Sequence, residues 1–194
     1  SGGKDHAYLF HGSLNDDFQW NAANVVPAPQ DPYLREFSMV TETKFSGAAP
    51  AFFEATWRMA RGARGGENQH LGPNFDPQAP RKFTRLHLLD AEGLNVYGAD
   101  SFCKQLNYQF TCALAQRRSD ADLESAFTAV IEPYAGAPFV TGLRPLAVKD
   151  NPPDALRALA VEIMTANGHA DLCFADGRPE TTREMAGGAM RVAG

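Results

Sequence analysis

Proton-transfer chemistry is suggested first by His6-x-Tyr8-x-x-His11. Imidazole and phenol are well suited to moving a proton near neutral pH once their surroundings tune them. If residues 4–11 are extended, His6, Tyr8 and Phe10 share one face and Ala7, Leu9 and His11 the other. The same rings also suit a strand that packs them locally. A second set, His6, His11, Asp16, Asp17, His70 and His87, offers imidazole and carboxylate groups suited to zinc or a similar divalent metal, although no pair has diagnostic spacing. Surface histidines are the better reading of the set. A third set is aromatic and cationic: Trp20, Trp57, Tyr97, Arg58, Arg64, Arg81 and Arg85. Flat rings stack on sugar faces, and guanidinium forks pair with carboxylates or sulfates. Trp57 falls on an apolar face and reads as core, whereas Trp20, beside a Pro-rich stretch, is the more open ring.

No motif of high intrinsic specificity accompanies these residues. The chain has no phosphate-binding loop, no Gly-x-Ser-x-Gly elbow, no His-Glu-x-x-His and no Cys-x-x-Cys. No pair of carboxylates stands out as the acid/base couple of a hydrolase.

The elements that would position these groups are strands. Residues 81–118 read as three in succession. Thr84, Leu86 and Leu88 alternate with Arg85 and His87, and Asp90-Ala91-Glu92-Gly93 forms a tight turn. In the third run Tyr108, Phe110, Cys112 and Leu114 oppose Asn107, Gln109 and Thr111, the pattern of a sheet with one buried and one wet face. In residues 51–60, Phe53, Ala55, Trp57 and Met59 oppose Glu54, Thr56 and Arg58. Asn15-Asp16-Asp17 reads as a turn, residues 21–33 as a loop broken by Pro27, Pro29 and Pro32, and residues 33–45 as a strand ended by Ser46-Gly47. Residues 61–80 read as a long surface loop. Residues 123–132 and 139–149 read as strands, and 178–183 as a polar loop. Residues 155–167 fit a helix or a strand, and Asn167-Gly168, a strong hairpin signal before residues 171–174, favours the strand. Many short strands at this spacing predict an all-β, two-layer antiparallel β-sandwich, taken as one domain over residues 1–194.

Composition sets the outer bounds. A chain of 194 residues with 44% hydrophobic content can bury a substantial core. No apolar run approaches the roughly 20 residues that span a bilayer, so no membrane partner is expected. The net charge of -5 argues against coating nucleic acid. Cys103, Cys112 and Cys173 lack metal-like spacing, and Cys112 and Cys173, on apolar strand faces, read as buried thiols.

The opening Gly2-Gly3-x-x-His6-x-Tyr8-x-x-His11-Gly12, with Thr84-Arg85-Leu86-His87-Leu88, Gly93-Leu94-Asn95-Val96-Tyr97-Gly98 and Phe127-Thr128-Ala129-Val130-Ile131-Glu132-Pro133-Tyr134, resembles the C-terminal β-sandwich region of heparinase II/III-like polysaccharide lyases. The resemblance covers most of the chain, to about Phe174. It implies a fragment of a longer bacterial enzyme, periplasmic or secreted, with a helical toroid upstream as its partner. Such lyases depolymerise uronic-acid polysaccharides by β-elimination: the uronate carboxylate is neutralised, a base removes the C5 proton and an acid protonates the leaving oxygen. The resemblance also implies that a structural divalent metal such as zinc is compatible with the sandwich, with no ligand set assigned. The positions of the main catalytic groups of the family have no counterparts here, so the isolated chain is expected to be catalytically silent. If it meets acidic polysaccharide, His6, Tyr8 and His11 are the candidate catalytic groups and Trp20, Arg58 and Arg85 the candidate substrate contacts. The alternative is a non-catalytic carbohydrate-binding or structural β-sandwich.

Overall fold

Apolar and polar residues alternate along Phe53–Met59 and Lys82–Leu89, and the two strands pair antiparallel so that Ala55 lies opposite Leu86 and Trp57 opposite Thr84. That register places one apolar face against a second sheet. The computed structural model describes residues 5–28, 40–60, 78–104, 107–154, 156–185 and 191–193. Among them are fourteen strands: β1 (Asp5–His11), β2 (Asn15–Trp20), β3 (Ala23–Pro27), β4 (Val40–Ala48), β5 (Phe53–Met59), β6 (Lys82–Leu89), β7 (Asn95–Cys103), β8 (Tyr108–Arg118), β9 (Thr128–Ala135), β10 (Val140–Pro145), β11 (Leu159–Thr165), β12 (Ala170–Ala175), β13 (Thr182–Glu184) and β14 (Arg191–Ala193). No helix among the described residues is long and apolar enough to cross a membrane.

The chain divides into two compact units, whereas the sequence reading takes it as one domain. The first, Ser1–Leu123 with Phe127–Ala137, is a two-layer antiparallel β-sandwich, as the patterning predicts. One layer has the order β1-β8-β7-β4-β3 and the other β2-β5-β6-β9. Between them Phe53, Ala55, Trp57, Leu86 and Leu88 of the four-stranded sheet meet Val96, Ala113 and Ala115 of the five-stranded one. Tyr8, Phe10, Phe18 and Trp20 pack around that core. Trp57 is fully buried, and its indole Nε1 donates across the sandwich to the Thr111 carbonyl at 2.6 Å. Phe10 and Phe18 lie against its ring at 5.3 and 5.2 Å between centroids. The second unit, Glu124–Ala126 with Pro138–Gly194, holds the antiparallel sheet β10-β11-β12 and the pair β13-β14. Its Arg183 guanidinium is buried and donates to Asp176 at 2.8 Å.

Several sequence expectations change here. Asn15-Asp16-Asp17 is the start of β2 rather than a turn, because pairing with β5 overrides turn propensity; the chain crosses between sheets at Gly12–Leu14 instead. Residues 23–27 are a strand rather than loop, since β3 is an edge strand and tolerates Pro27 at its end. β4 runs through Ser46-Gly47 to Ala48 instead of ending there, paired with β7. β9 begins only at Thr128, and the polar stretch at 178–183 ends inside β13. The central strands β7 and β8 of the five-stranded sheet are buried on both faces: Ala113 and Ala115 face the inter-sheet core, while Leu114 packs with Tyr97 and Ala99 on the other side. Cys112 is buried, and burial pushes its thiol up to about 11, but Cys173 on the edge strand β12 is exposed. The hairpin at Asn167-Gly168 is present, with Gly168 at φ +83°.

Gly12 marks the tightest approach in the sandwich. A Cβ there would lie 2.6 Å from Trp57 Cδ2, and a locked indole has nowhere to move. Gly12→Ala is therefore expected to cost about 1–3 kcal/mol, read as a lower urea midpoint by tryptophan fluorescence. An unchanged midpoint would contradict this packing.

Candidate functional site

The residues of β5 and β6 that point away from the core share a face with alternate residues of β9. Register puts Glu54 beside His87, Thr56 beside Arg85 and Arg58 beside Phe83. On the other side His87 meets Val130, Arg85 meets Glu132 and Phe83 meets Tyr134. Pro133 sits between Glu132 and Tyr134 on the edge strand β9, a position where proline is tolerated.

This outer face contains an interior ion cluster. Glu132 is fully buried, and its Oε2 accepts from Arg85 Nε and Nη2, both at 2.7 Å. The same oxygen lies 3.2 Å from His87 Nε2. The opposite ring nitrogen, Nδ1, lies 2.8 Å from Glu54 Oε1, whose side chain is 42% exposed. His87 thus bridges a buried carboxylate and one that reaches water. The Arg85 guanidinium sits 5.9 Å from the centre of the Tyr134 ring, which stacks on Phe83 at 4.9 Å with an interplanar angle of 11°. Burial, followed by the opposing pull of Arg85 and the push of Glu132 and Glu54, leaves the Tyr134 phenol raised.

Beside this cluster is a more exposed one. Arg58 Nε donates to Asp16 Oδ1 at 2.7 Å, and its Nη1 lies 3.6 Å from Asp17 Oδ2. Arg81 Nη2 donates to Asp16 Oδ2 at 2.8 Å and to the Met59 carbonyl at 2.6 Å. Partial burial raises Asp16, but hydrogen bonds and charge from Arg58 and Arg81 outweigh it and hold the carboxyl below its usual range. Its pairing therefore stabilises the fold above the unfolded-state carboxyl range and is lost as pH falls through the lowered value.

The candidate residues named from sequence divide sharply. Arg58 and Arg85 share the outer face of the four-stranded sheet, each engaged by carboxylates. Trp20 is half-buried at the edge of the aromatic core, its ring 6.1 Å from Phe53 and 5.7 Å from Phe18. On β1, Tyr8 faces the sandwich interior and stacks on Phe127 at 5.8 Å, and burial raises its phenol. His6 shares the Tyr8 side of the strand, whereas His11 lies on the other, edge-on to Phe110 at 5.5 Å. The three do not converge. Nor do the proposed metal ligands: Asp16 is held by arginines, His87 by carboxylates, and His70, like Arg64, falls outside the described residues. Among the described residues no group of three or more His, Cys, Asp or Glu side chains could hold a metal ion.

Sequence reasoning missed Glu54 and Glu132 as site residues. The parity of β5 and β6 already put Glu54, Arg85 and His87 on one face, and Glu132 with Tyr134 carries the same period-two signal on β9. The missing step was strand order, which brings β9 beside β6.

No family model, curated protein or solved structure matches this chain.

Glu132→Gln removes the charge that offsets Arg85 and leaves the guanidinium half-paired in a largely dry setting. The expected loss is about 3 kcal/mol, measured by urea denaturation of the two proteins side by side. A change below about 0.5 kcal/mol would mean that the cluster behaves as an ordinary surface pair.

Proposed function

We propose that this chain is the β-sandwich region of a heparinase II/III-like polysaccharide lyase, in which the outer face of the four-stranded sheet forms a wall for acidic polysaccharide and the chain alone performs no elimination. The observation that carries this reading is the joint presence on one face of Arg85 and His87, both held by Glu132, with Tyr134 beside Arg85. A guanidinium, an imidazole and a phenol in fixed positions are suited to the carboxylates and hydroxyls of a uronate chain. The resemblance in the quoted motifs points to the same class of ligand, and Thr84–Leu88 and Phe127–Tyr134 are the motifs that include the β6 and β9 positions of this face.

Two features support the proposed silence of the isolated chain. Tyr8 is turned into the core, away from His11, so β1 presents no assembled base. Arg58 and Arg85 are already paired to Asp16 and Glu132, which suits orienting a polymer better than neutralising the uronate that reacts. The same pairing favours, as a second reading, a non-catalytic carbohydrate-binding or structural sandwich. In the lyase reading the upstream helical toroid supplies the opposite wall and the missing base, in a periplasmic or secreted setting.

Affinity electrophoresis through gels containing uronic-acid polysaccharides, paired with ultraviolet absorbance of the same mixtures, tests the proposal. Retarded migration that Tyr134→Ala weakens, together with a flat absorbance trace, is the expected result. Unretarded migration in every uronate polymer would overturn the wall, and a rise in absorbance would overturn the silence of the chain.

A further inference from the structure

On the outer side of the five-stranded sheet, Val26 of β3, Ser46 of β4 and Tyr97 of β7 lie in one cross-strand row, with Ala48 and Asn95 paired in the next. The edge strand does not keep this register throughout. Between the pairs Ala23–Ala48 and Val26–Ser46, Asn24 and Val25 stand against the single residue Gly47, which makes a β-bulge. Asn24 absorbs the bulge with a left-handed backbone at φ 52°, a conformation that asparagine tolerates and most side chains resist. Gly47 is needed opposite it, because a Cβ there would lie 2.8 Å from the Ala23 carbonyl oxygen. Bulges at sheet edges re-aim side chains beside functional sites. Here the bulge borders a hollow of about 340 Å³ whose lining includes Asn24, Val26, Ser46, Gly47, Asn95 and Tyr97.

The chemistry of the lining selects the ligand. Asn24 and Asn95 are exposed, and each brings a carboxamide that both donates and accepts. The Ser46 hydroxyl does the same. Tyr97 is the buried floor, its phenol donating to Gln116 Oε1 at 3.0 Å, and Val26, 53% exposed, is an aliphatic wall. No charged side chain is among the described residues that line the hollow. A carboxylate or ammonium group would therefore lose hydration there without gaining a partner. Mixed donors and acceptors beside a ring and an aliphatic wall match the hydroxyls and C–H faces of an uncharged sugar, and the volume is at the small end of ligand pockets. We propose that this hollow binds one neutral pyranose ring of a glycan. It lies on the layer opposite the wall proposed for acidic polysaccharide and does not depend on that reading.

Titration of the complete, isotope-labelled chain with the methyl glycosides of glucose, galactose and mannose, and separately with sodium glucuronate, tests the site through backbone amide shifts. At least one neutral glycoside is expected to give saturable shifts at Asn24, Ser46, Gly47, Asn95 and Tyr97. Glucuronate, its carboxylate unpaired, is expected to bind there at least about tenfold more weakly. Asn24→Gly removes one carboxamide while suiting the left-handed backbone, so the fold is kept and the spectrum away from β3 and β4 stays unchanged. It should weaken binding of the glycoside about tenfold, the effect of one lost hydrogen bond, and Asn95→Ala should do the same. Binding by none of the three glycosides would overturn the site, as would unchanged affinity in either variant. Glucuronate binding as tightly as the neutral glycosides would overturn the uncharged class of ligand.

Discussion

Removing a carboxylate from water costs several kcal/mol unless charge and hydrogen bonds replace the lost hydration. Glu132 faces that demand on the side of its sheet opposite the apolar core, and it constrains what its neighbours can be. The partner across the ladder on β6 has to be a strong donor, and Arg85 supplies two bonds to one oxygen. The next outward residue on β6 is His87, close enough to bond the same oxygen. Glu54, facing His87 from β5, extends the contacts to solvent. A single buried charge thereby ties three strands together on the polar side and fixes where Arg85 and His87 stand.

The other side of the same strands carries the opposite chemistry. Phe53, Ala55 and Trp57 alternate with Glu54, Thr56 and Arg58 along β5, so the inter-sheet core and the polar face share one backbone and one register. A slip of one residue would bring Arg58 into the core and Trp57 into water. Trp57 guards against this with its 2.6 Å bond to Thr111 in the facing sheet, an anchor only one register satisfies. Gly12 leaves the room the indole needs where the chain crosses from β1 to β2. Core packing therefore positions the outer face, and the ion cluster reinforces the same pairing.

Much of this was legible in the sequence. The two-layer sandwich followed from period-two patterning, as did the assignment of Trp57 to the core and of Arg58, Arg85 and His87 to the opposite face. The hairpin at Asn167-Gly168 was readable because its turn chemistry is local. What escaped had non-local causes. Asn15-Asp16-Asp17 carries turn residues, yet pairing with β5 and the arginines Arg58 and Arg81 make it a strand. The pattern of the third central strand points to one wet face, but β8 lies between two neighbours and is itself buried on both sides, and Ala113 and Ala115 are small enough to disguise it. The cluster of Glu54, His87 and Glu132 depends on β9 lying beside β6, which spacing along the chain does not encode. His6, Tyr8 and His11 were attractive for their chemistry, and alternation alone already separated His11 from the other two.

In the proposed reading the outer face of β5, β6 and β9 is the glycan-facing surface, and β1 is a packing strand. Backbone amide chemical-shift mapping during titration with a defined oligouronate addresses that claim most directly. Saturable shifts concentrated at Glu54, Arg85, His87 and Tyr134, with His6 to His11 unmoved, are the expected result. Shifts concentrated along His6 to His11, or none on either strand set, would contradict it.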